Sequence, residues 1–388
     1  VNGAKLLIPG HASAAAAARD RLVSLDIFRG ITITVMLLVN NPGNDAPYWP
    51  LKHADWNGLT PTDLIFPFFL FIVGLSLVFS FHWRMGCGVS KKALLFHSVR
   101  RSGILFAIGL FLNAYPFFDP ASLRIPGILQ RIALASLVAA VLTLWFGRKG
   151  RIAAVFGLLF GYWVLLRFVP VPGYGMPGRD IPFLDPDANL AAYLDRKLML
   201  GHLFEGTRDP VGLLSTVPAI ATTLLGTLAG EWLRSDQEPR RKVAWMLGLG
   251  MVGLAAGKIF GVWFPLNRKL WTSSFVLFSG GGALVCLALC YWVTDIKQWR
   301  GAWTRPFVVF GTNAIATYTF AELVGISGDS FLTQAGGQTV TWQESIFRYV
   351  FAPIGSPGFS SLLYSITFML VCLFPVWTLY RKQIFIKI

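Results

Sequence analysis

In LKHADWNGLTPTDL, residues 51–64, the polar residues His53, Asp55, Asn57 and Asp63 fall within eleven positions of one another, directly ahead of IFPFFLFIVGLSLVFSF, an apolar run with no charge before His82. Imidazole is the side chain best suited to take a proton from an attacking amine or hydroxyl near neutral pH. His53 is therefore the candidate base or nucleophile, and Asp63, Asn57 and the preceding Asn40 are the polar groups able to assist it. Part of the cluster has a structural explanation. Thr60-Pro61-Thr62-Asp63 reads as a helix start, with Thr as N-cap, Pro in the first helical position and an acid in the third. Asn57-Gly58 is a turn signal, and Tyr48, Trp49 and Trp56 suit a membrane interface. His53 has no such structural job.

Other ionisable residues sit inside apolar segments, where they are costly and by default functional. Asp26 and Arg29 are three apart and share a helix face. Asn40 follows Arg29 by eleven residues, roughly 16 Å along a helix that rises about 1.5 Å per residue. The plain reading of these three is an anchoring ion pair and a helix-terminal Asn before Asn41-Pro42. Arg131, Lys258 and Glu322 are expected at a depth similar to Asp63. There they line a polar cavity or pair among themselves, Arg131 with Asp63 or Lys258 with Glu322. Asn267, Lys269, Thr272 and Ser273 in PLNRKLWTSSF form an anion or hydroxyl site at a helix start, or simply a well-capped helix. DPVGLLSTVPAIATTLLGTLAG, with Gly226-x-x-x-Gly230, reads as close helix packing or as the lining of a polar channel.

The elements that must position these residues are membrane helices. The chain has 388 residues, 54% hydrophobic and 14% charged, with a mean hydropathy of +0.58, whereas soluble domains are about 25% charged. Apolar blocks long enough to cross a bilayer fall near 25–40, 62–82, 99–115, 126–146, 152–169, 211–233, 243–264, 271–294, 306–325 and 360–380. The expected fold class is all-α: a polytopic membrane protein of about ten transmembrane helices, with both termini cytoplasmic. The net charge of +15 does not mark a nucleic-acid binder, because the cations gather in short clusters between the spans. Connections on the side of the termini hold 22 of the 34 Lys and Arg, against 10 in the longer connections opposite. By the positive-inside rule the first side is cytoplasmic, and His53 lies outside the cytoplasm near the membrane surface. Residues 1–20 read as a flexible tail and 21–388 as one transmembrane domain. The four Cys show no metal-binding spacing and read as free thiols. The amphipathic piece 343–354, QESIFRYVFAPI, is too short to span.

Together, SLDIFRG and VN in the first span, HADWNGLTPTDLIFPFFLF, PGILQRIA, DPVGLLSTVPAIATTLLGTLAG, PLNRKLWTSSFVL and PFVVFGTNAI resemble the heparan-α-glucosaminide N-acetyltransferase family and its bacterial relatives of the NagX type, over some three quarters of the chain. The resemblance implies acetyl transfer across a membrane, from cytosolic acetyl-CoA as co-substrate to an amino sugar on the other side, with no metal. It matches the family's catalytic loop His to His53 and its first-span Asn to Asn40. Under that chemistry the CoA phosphates prefer the cation-rich inner side, where Arg29, Arg100 and Arg101 are candidates. Arg131, Asn267, Lys269, Thr272 and Ser273 are further donor-binding candidates, and Asp26, Asn57, Lys258 and Glu322 are acceptor-binding candidates. The pantetheine arm threads the bundle toward Asn40 and His53. Asn40 or Arg131 stabilises the oxyanion, and His53, assisted by Asp63, deprotonates the sugar amine or carries the acetyl group itself.

Family analogy also implies a homodimer; the expected location is a bacterial cytoplasmic membrane, among membrane lipid, where the Lys and Arg asymmetry turns the His53 loop to the periplasm. The runner-up reading is a transporter of sugars or peptidoglycan fragments, and a third is a scaffold in envelope assembly. No internal repeat is visible, which weighs against the inverted-repeat transporter.

Overall fold

The computed structural model describes residues 22–335 and 338–386; the tail expected over 1–20 lies outside the described residues. The first apolar block forms α1, Val23–Asn40. A single tight turn, Pro61–Leu64, then leads into α2, Ile65–Gly86. The helices α3, Lys91–Ala114, α4, Ile128–Trp145, and α5, Arg148–Phe168, follow. The long connection after α5 carries a short helix, α6, Leu190–Met199. Beyond it come α7, Thr216–Arg234, α8, Pro239–Phe260, and α9, Ser273–Tyr291. The remainder is α10, Thr304–Thr312, α11, Ala314–Ser330, an antiparallel hairpin of β1, Leu332–Ala335, and β2, Gln338–Thr341, then α12, Trp342–Ile346, and α13, Pro357–Arg381.

Among the described residues, eight helices are long and apolar enough to cross a bilayer, and nine spans result if α10 and α11 count as one broken span. The span expected at 211–233 corresponds to the Thr-rich α7, which is less apolar than these and packs against α2, α4 and α5. The chain is a polytopic all-α membrane protein. Large apolar side chains such as Phe156, Phe160, Val252 and Phe374 stay exposed on outer helix faces. That is affordable where the surroundings are lipid tails rather than water.

The small residues of α7 work as close-packing points. A Cβ added at Gly226 would overlap the carbonyl oxygen of Phe71, and one at Gly74 would overlap that of Thr223, so α2 and α7 approach backbone to backbone. Of the two readings of the Gly226-x-x-x-Gly230 segment, helix packing describes what it does. The same device joins α1 to α10, where Gly30 meets the Phe307 carbonyl and Gly311 meets that of Asp26.

The expected continuous span at 306–325 is instead two helices meeting at 86°. The close crossing at Gly311 holds α10 against α1, and Asn313 leaves helical geometry with φ −122° and ψ 37°. The amphipathic piece 343–354 packs across the ends of α11 and α13, with Ile346, Tyr349, Val350 and Ile354 exposed.

Candidate active site

Thr60, Pro61 and Asp63 form the helix start expected from their spacing. Asp63 Oδ2 accepts from the backbone N–H of Thr60 at 2.9 Å, from its hydroxyl at 3.1 Å, and from the backbone N–H of Ala54 at 3.2 Å. The other oxygen of the same carboxylate, Oδ1, lies 2.7 Å from Nδ1 of His53 and 3.0 Å from Nε of Arg268. Asp63 is fully buried. An ionised carboxylate only accepts, so His53 carries its proton on Nδ1, a tautomer assigned from its partner. The lone pair of Nε2 is left for chemistry.

The loop bearing His53 is pinned to the chain ahead of α9. Gly58, in the left-handed region at φ +121°, donates to the Leu266 carbonyl at 2.8 Å, and Asn267 Nδ2 donates to Asn57 Oδ1 at 3.1 Å. Trp56 Nε1 donates to the Leu184 carbonyl at 2.8 Å. Burial lowers the His53 pKa below its ordinary value; the Asp63 hydrogen bond opposes this and the nearby Arg268 cation reinforces it. The imidazole is therefore neutral, and able to accept a proton, near neutral pH.

His53, Asn40, Arg124, Arg268 and Tyr318 line one cavity of about 180 Å³. Arg124 is held by two bonds to Asp209, at 2.9 and 2.8 Å, and lies 4.6 Å from the Phe204 ring. A second cavity of about 170 Å³ adjoins the first and is lined by Arg29, Ser76, Arg101, Thr312 and Ile386. Arg29 bonds Ser76 at 2.6 Å, the Gly311 carbonyl at 3.1 Å and Asp26 at 3.4 Å. The two cavities share Phe69, Leu129, Ile132 and Ile315 as a common apolar wall.

The structure thus brings His53, Asp63 and Asn40 together at one cavity and Arg29 and Arg101 at the other. Several other candidates stand elsewhere. Arg100 is exposed on the outer face of α3, and Lys258 is exposed on the last turn of α8. Asp26 is buried and serves as the partner of Arg29. Glu322 lies against Tyr318, one turn earlier on the same helix, and not Lys258. Arg131 does not reach Asp63. It is buried, bonds Ser215 Oγ and, at 3.3 Å, the Gly212 carbonyl, and stacks 5.0 Å from the Trp271 ring.

The polar set ahead of α9 is on the His53 side, opposite Arg29 and Arg101, and its groups are internally engaged. Asn57 is exposed and braced by Asn267, and Lys269 pairs with Glu205 at 2.9 Å. The hydroxyls of Thr272 and Ser273 donate to the carbonyls of Pro265 and Leu159, at 2.9 and 2.7 Å. Arg268, between Asn267 and Lys269 in the same motif, is the residue that reaches the His53 pair. Arg124 and Tyr318 also line the cavity, and of these only Arg124 carries a sequence signal, as the lone cation of its connection just ahead of PGILQR.

Fold and site define a polytopic all-α membrane protein in which a buried carboxylate orients a histidine at a cavity between the helices. A family model described as heparan-alpha-glucosaminide N-acetyltransferase, catalytic, matches residues 21–256. The human heparan-alpha-glucosaminide N-acetyltransferase is 34% identical over 356 residues, covering 78% of this chain and 53% of the human protein. The mouse protein of the same name is 33% identical over 358 residues, covering 79% and 54%. The chain belongs to the heparan-α-glucosaminide N-acetyltransferase family, and it spans about half the length of the curated relatives it matches.

Proposed function

We propose that this chain transfers an acetyl group from acetyl-CoA, bound from the cytoplasmic side, to the amine of a glucosamine-type sugar on the opposite side of the membrane. The observation that carries the reading is the pair of adjoining cavities within one bundle, one with Arg29 and Arg101, the other with the His53–Asp63 pair, which share a wall of four apolar residues. Acetyl-CoA has matching parts. Its phosphates suit guanidinium groups, its thin neutral arm suits the apolar wall, and its thioester then reaches the cavity of His53.

In that cavity the sugar amine attacks the thioester carbonyl carbon while His53 Nε2 accepts the amine proton. Asn40, on the rim of the same cavity, supplies N–H groups to the developing oxyanion. Asp63 keeps the imidazole in the productive tautomer and stabilises the imidazolium that forms. The carbon–sulfur bond then breaks, and His53 returns the proton to the CoA thiolate.

Purified protein is expected to be heat-stabilised by acetyl-CoA and to release CoA when glucosamine is added; a protein that does neither is not this enzyme. A transporter of sugars or peptidoglycan fragments draws on the same two cavities, but it leaves the His53–Asp63 pair idle and predicts no CoA release. The orientation rests on the Lys and Arg asymmetry. A single Cys at position 53 should therefore react with a membrane-impermeant thiol reagent in intact cells.

A further inference from the structure

The motif PFVVFGTNAI contains the break between α10 and α11, and the acyl-transfer steps leave its Asn313 unused. Asn313 is 1% exposed. Both edges of its amide are occupied by a segment some seventy residues further on: Nδ2 donates to the Ile384 carbonyl at 3.2 Å, and Oδ1 accepts from the Ile386 backbone N–H at 2.9 Å. The chain reverses to arrive there. Gln383, with φ +57°, donates its backbone N–H to the Tyr380 carbonyl at 3.0 Å, and Ile384 donates to that of Leu379 at 2.9 Å, which ends α13 and turns the segment back toward the bundle. Ile386 then sits at the rim of the cavity that holds Arg29 and Arg101.

Little else described fixes this segment. Phe385 packs against Tyr380 with ring centroids 6.2 Å apart, while Ile384 and Ile386 remain 46% and 45% exposed. Apolar burial therefore holds the segment weakly, and the paired amide bonds are what place it. The pairing also argues against a flap that swings aside. Withdrawing the segment would strip a buried amide of both its donor and its acceptor partner, a state that folded proteins rarely tolerate.

We infer that Asn313 is a positioning residue for the donor: by clamping residues 384–386 it makes Ile386 a fixed wall at the mouth of the Arg29 cavity, against which the nucleotide end of an acyl-CoA packs. This inference rests on the acyl-transfer reading and adds to it a donor-site element that no span of the bundle supplies.

The test is acetyl-CoA binding by calorimetry, together with KM for acetyl-CoA and for glucosamine, on purified full-length protein in detergent. Asn313→Ala is expected to weaken acetyl-CoA binding and raise its KM by about tenfold, with the glucosamine KM unchanged. Ile386→Trp leaves the backbone clamp intact while crowding the cavity mouth, and should also weaken acetyl-CoA binding; it decides the matter if Asn313→Ala does not fold. Wild-type affinity in a folded Ile386→Trp protein overturns the inference, as does tighter binding by Asn313→Ala, which would mark a gate in place of a wall. Wild-type protein that binds no acetyl-CoA removes the acyl-transfer reading, and this inference with it.

Discussion

Oδ1 of Asp63 lies 2.7 Å from Nδ1 of His53, while Oδ2 of the same carboxylate receives the backbone and hydroxyl hydrogens of Thr60. One side chain thus starts a membrane helix and orients a histidine. The rigidity of the helix start is passed directly to the imidazole, which suits a group that must present one lone pair in one direction.

Asp63→Asn should separate these two tasks. The amide oxygen can keep the contacts to Thr60 while its NH2 group faces His53, which drives the imidazole proton from Nδ1 to Nε2. The lone pair then no longer points into the cavity. Acetyl transfer is expected to fall by on the order of 10²–10⁴, with a lower melting temperature as well, because the NH2 group also faces Arg268 Nε and leaves that cation unpaired. Thr60→Ala is the converse: it should cost about 0.5–2 kcal/mol of stability and leave turnover intact. A catalytically normal Asp63→Asn protein would remove the pair from the mechanism.

His53→Ala should abolish transfer while acetyl-CoA still binds, because the Arg29 cavity is untouched. The pH profile carries a second signature. Burial, reinforced by Arg268, lowers the His53 pKa, so the acid limb of kcat/KM should lie below the ordinary histidine value of about 6.5. Arg268→Gln removes a nearby positive charge, which raises the pKa and moves that limb to higher pH. An acid limb in the same place in both proteins would mean that it reports another group.

The wall between the cavities can be tested by volume. Ile315 lines both, so Ile315→Trp should block the arm between them. Transfer is then expected to fall by at least tenfold while the nucleotide end still binds, measured with CoA itself. Unchanged turnover would show that the acyl group reaches His53 by another route.

Asp195, on the short helix α6, is buried, and its carboxyl is pushed up to about 6; burial is the main cause, Asp209 adds to it, and the hydrogen bond from the Leu213 N–H opposes it. A carboxyl whose folded pKa lies above its unfolded value contributes full stability below the unfolded pKa and loses it as pH rises through the folded one. Asp195→Asn keeps an acceptor for Leu213, 2.9 Å away, and removes the ionisation. Its melting temperature relative to wild type should therefore rise between about pH 4 and pH 6. A flat difference across that range would contradict a carboxyl held protonated by burial.

Much of the fold is legible in sequence, because a bilayer core demands runs of about twenty apolar residues and the chain shows them one after another. The helix start at Thr60–Asp63 is legible for a different reason. A capping box is an i, i+3 pattern in which both partners are local. The ion pair of Asp26 with Arg29 and the glycine packing of α7 follow from similar short-range rules.

What a linear pattern misses is rotation about the helix axis. Counting residues places Lys258, Glu322 and Arg131 at a depth, yet Lys258 faces outward, Glu322 meets Tyr318 one turn away, and Arg131 is stacked on Trp271. Arg100 and Arg101 are neighbours in sequence, and only Arg101 reaches the cavity. Thr272 and Ser273 look like a ligand site until their hydroxyls are found bonded to carbonyls.

By itself the sequence determined that the chain spans a membrane many times, where the apolar blocks lie, and that His53 stands beside a capped helix with no structural task of its own. These follow from composition and from interactions a few residues long. Only the tertiary structure decided that Arg268, more than two hundred positions away, closes on Asp63, that two cavities meet at one apolar wall, and that Asn313 clamps a segment returning from beyond α13. Those relations depend on which faces of distant helices are turned toward each other, and that is set by how their small and large side chains interlock.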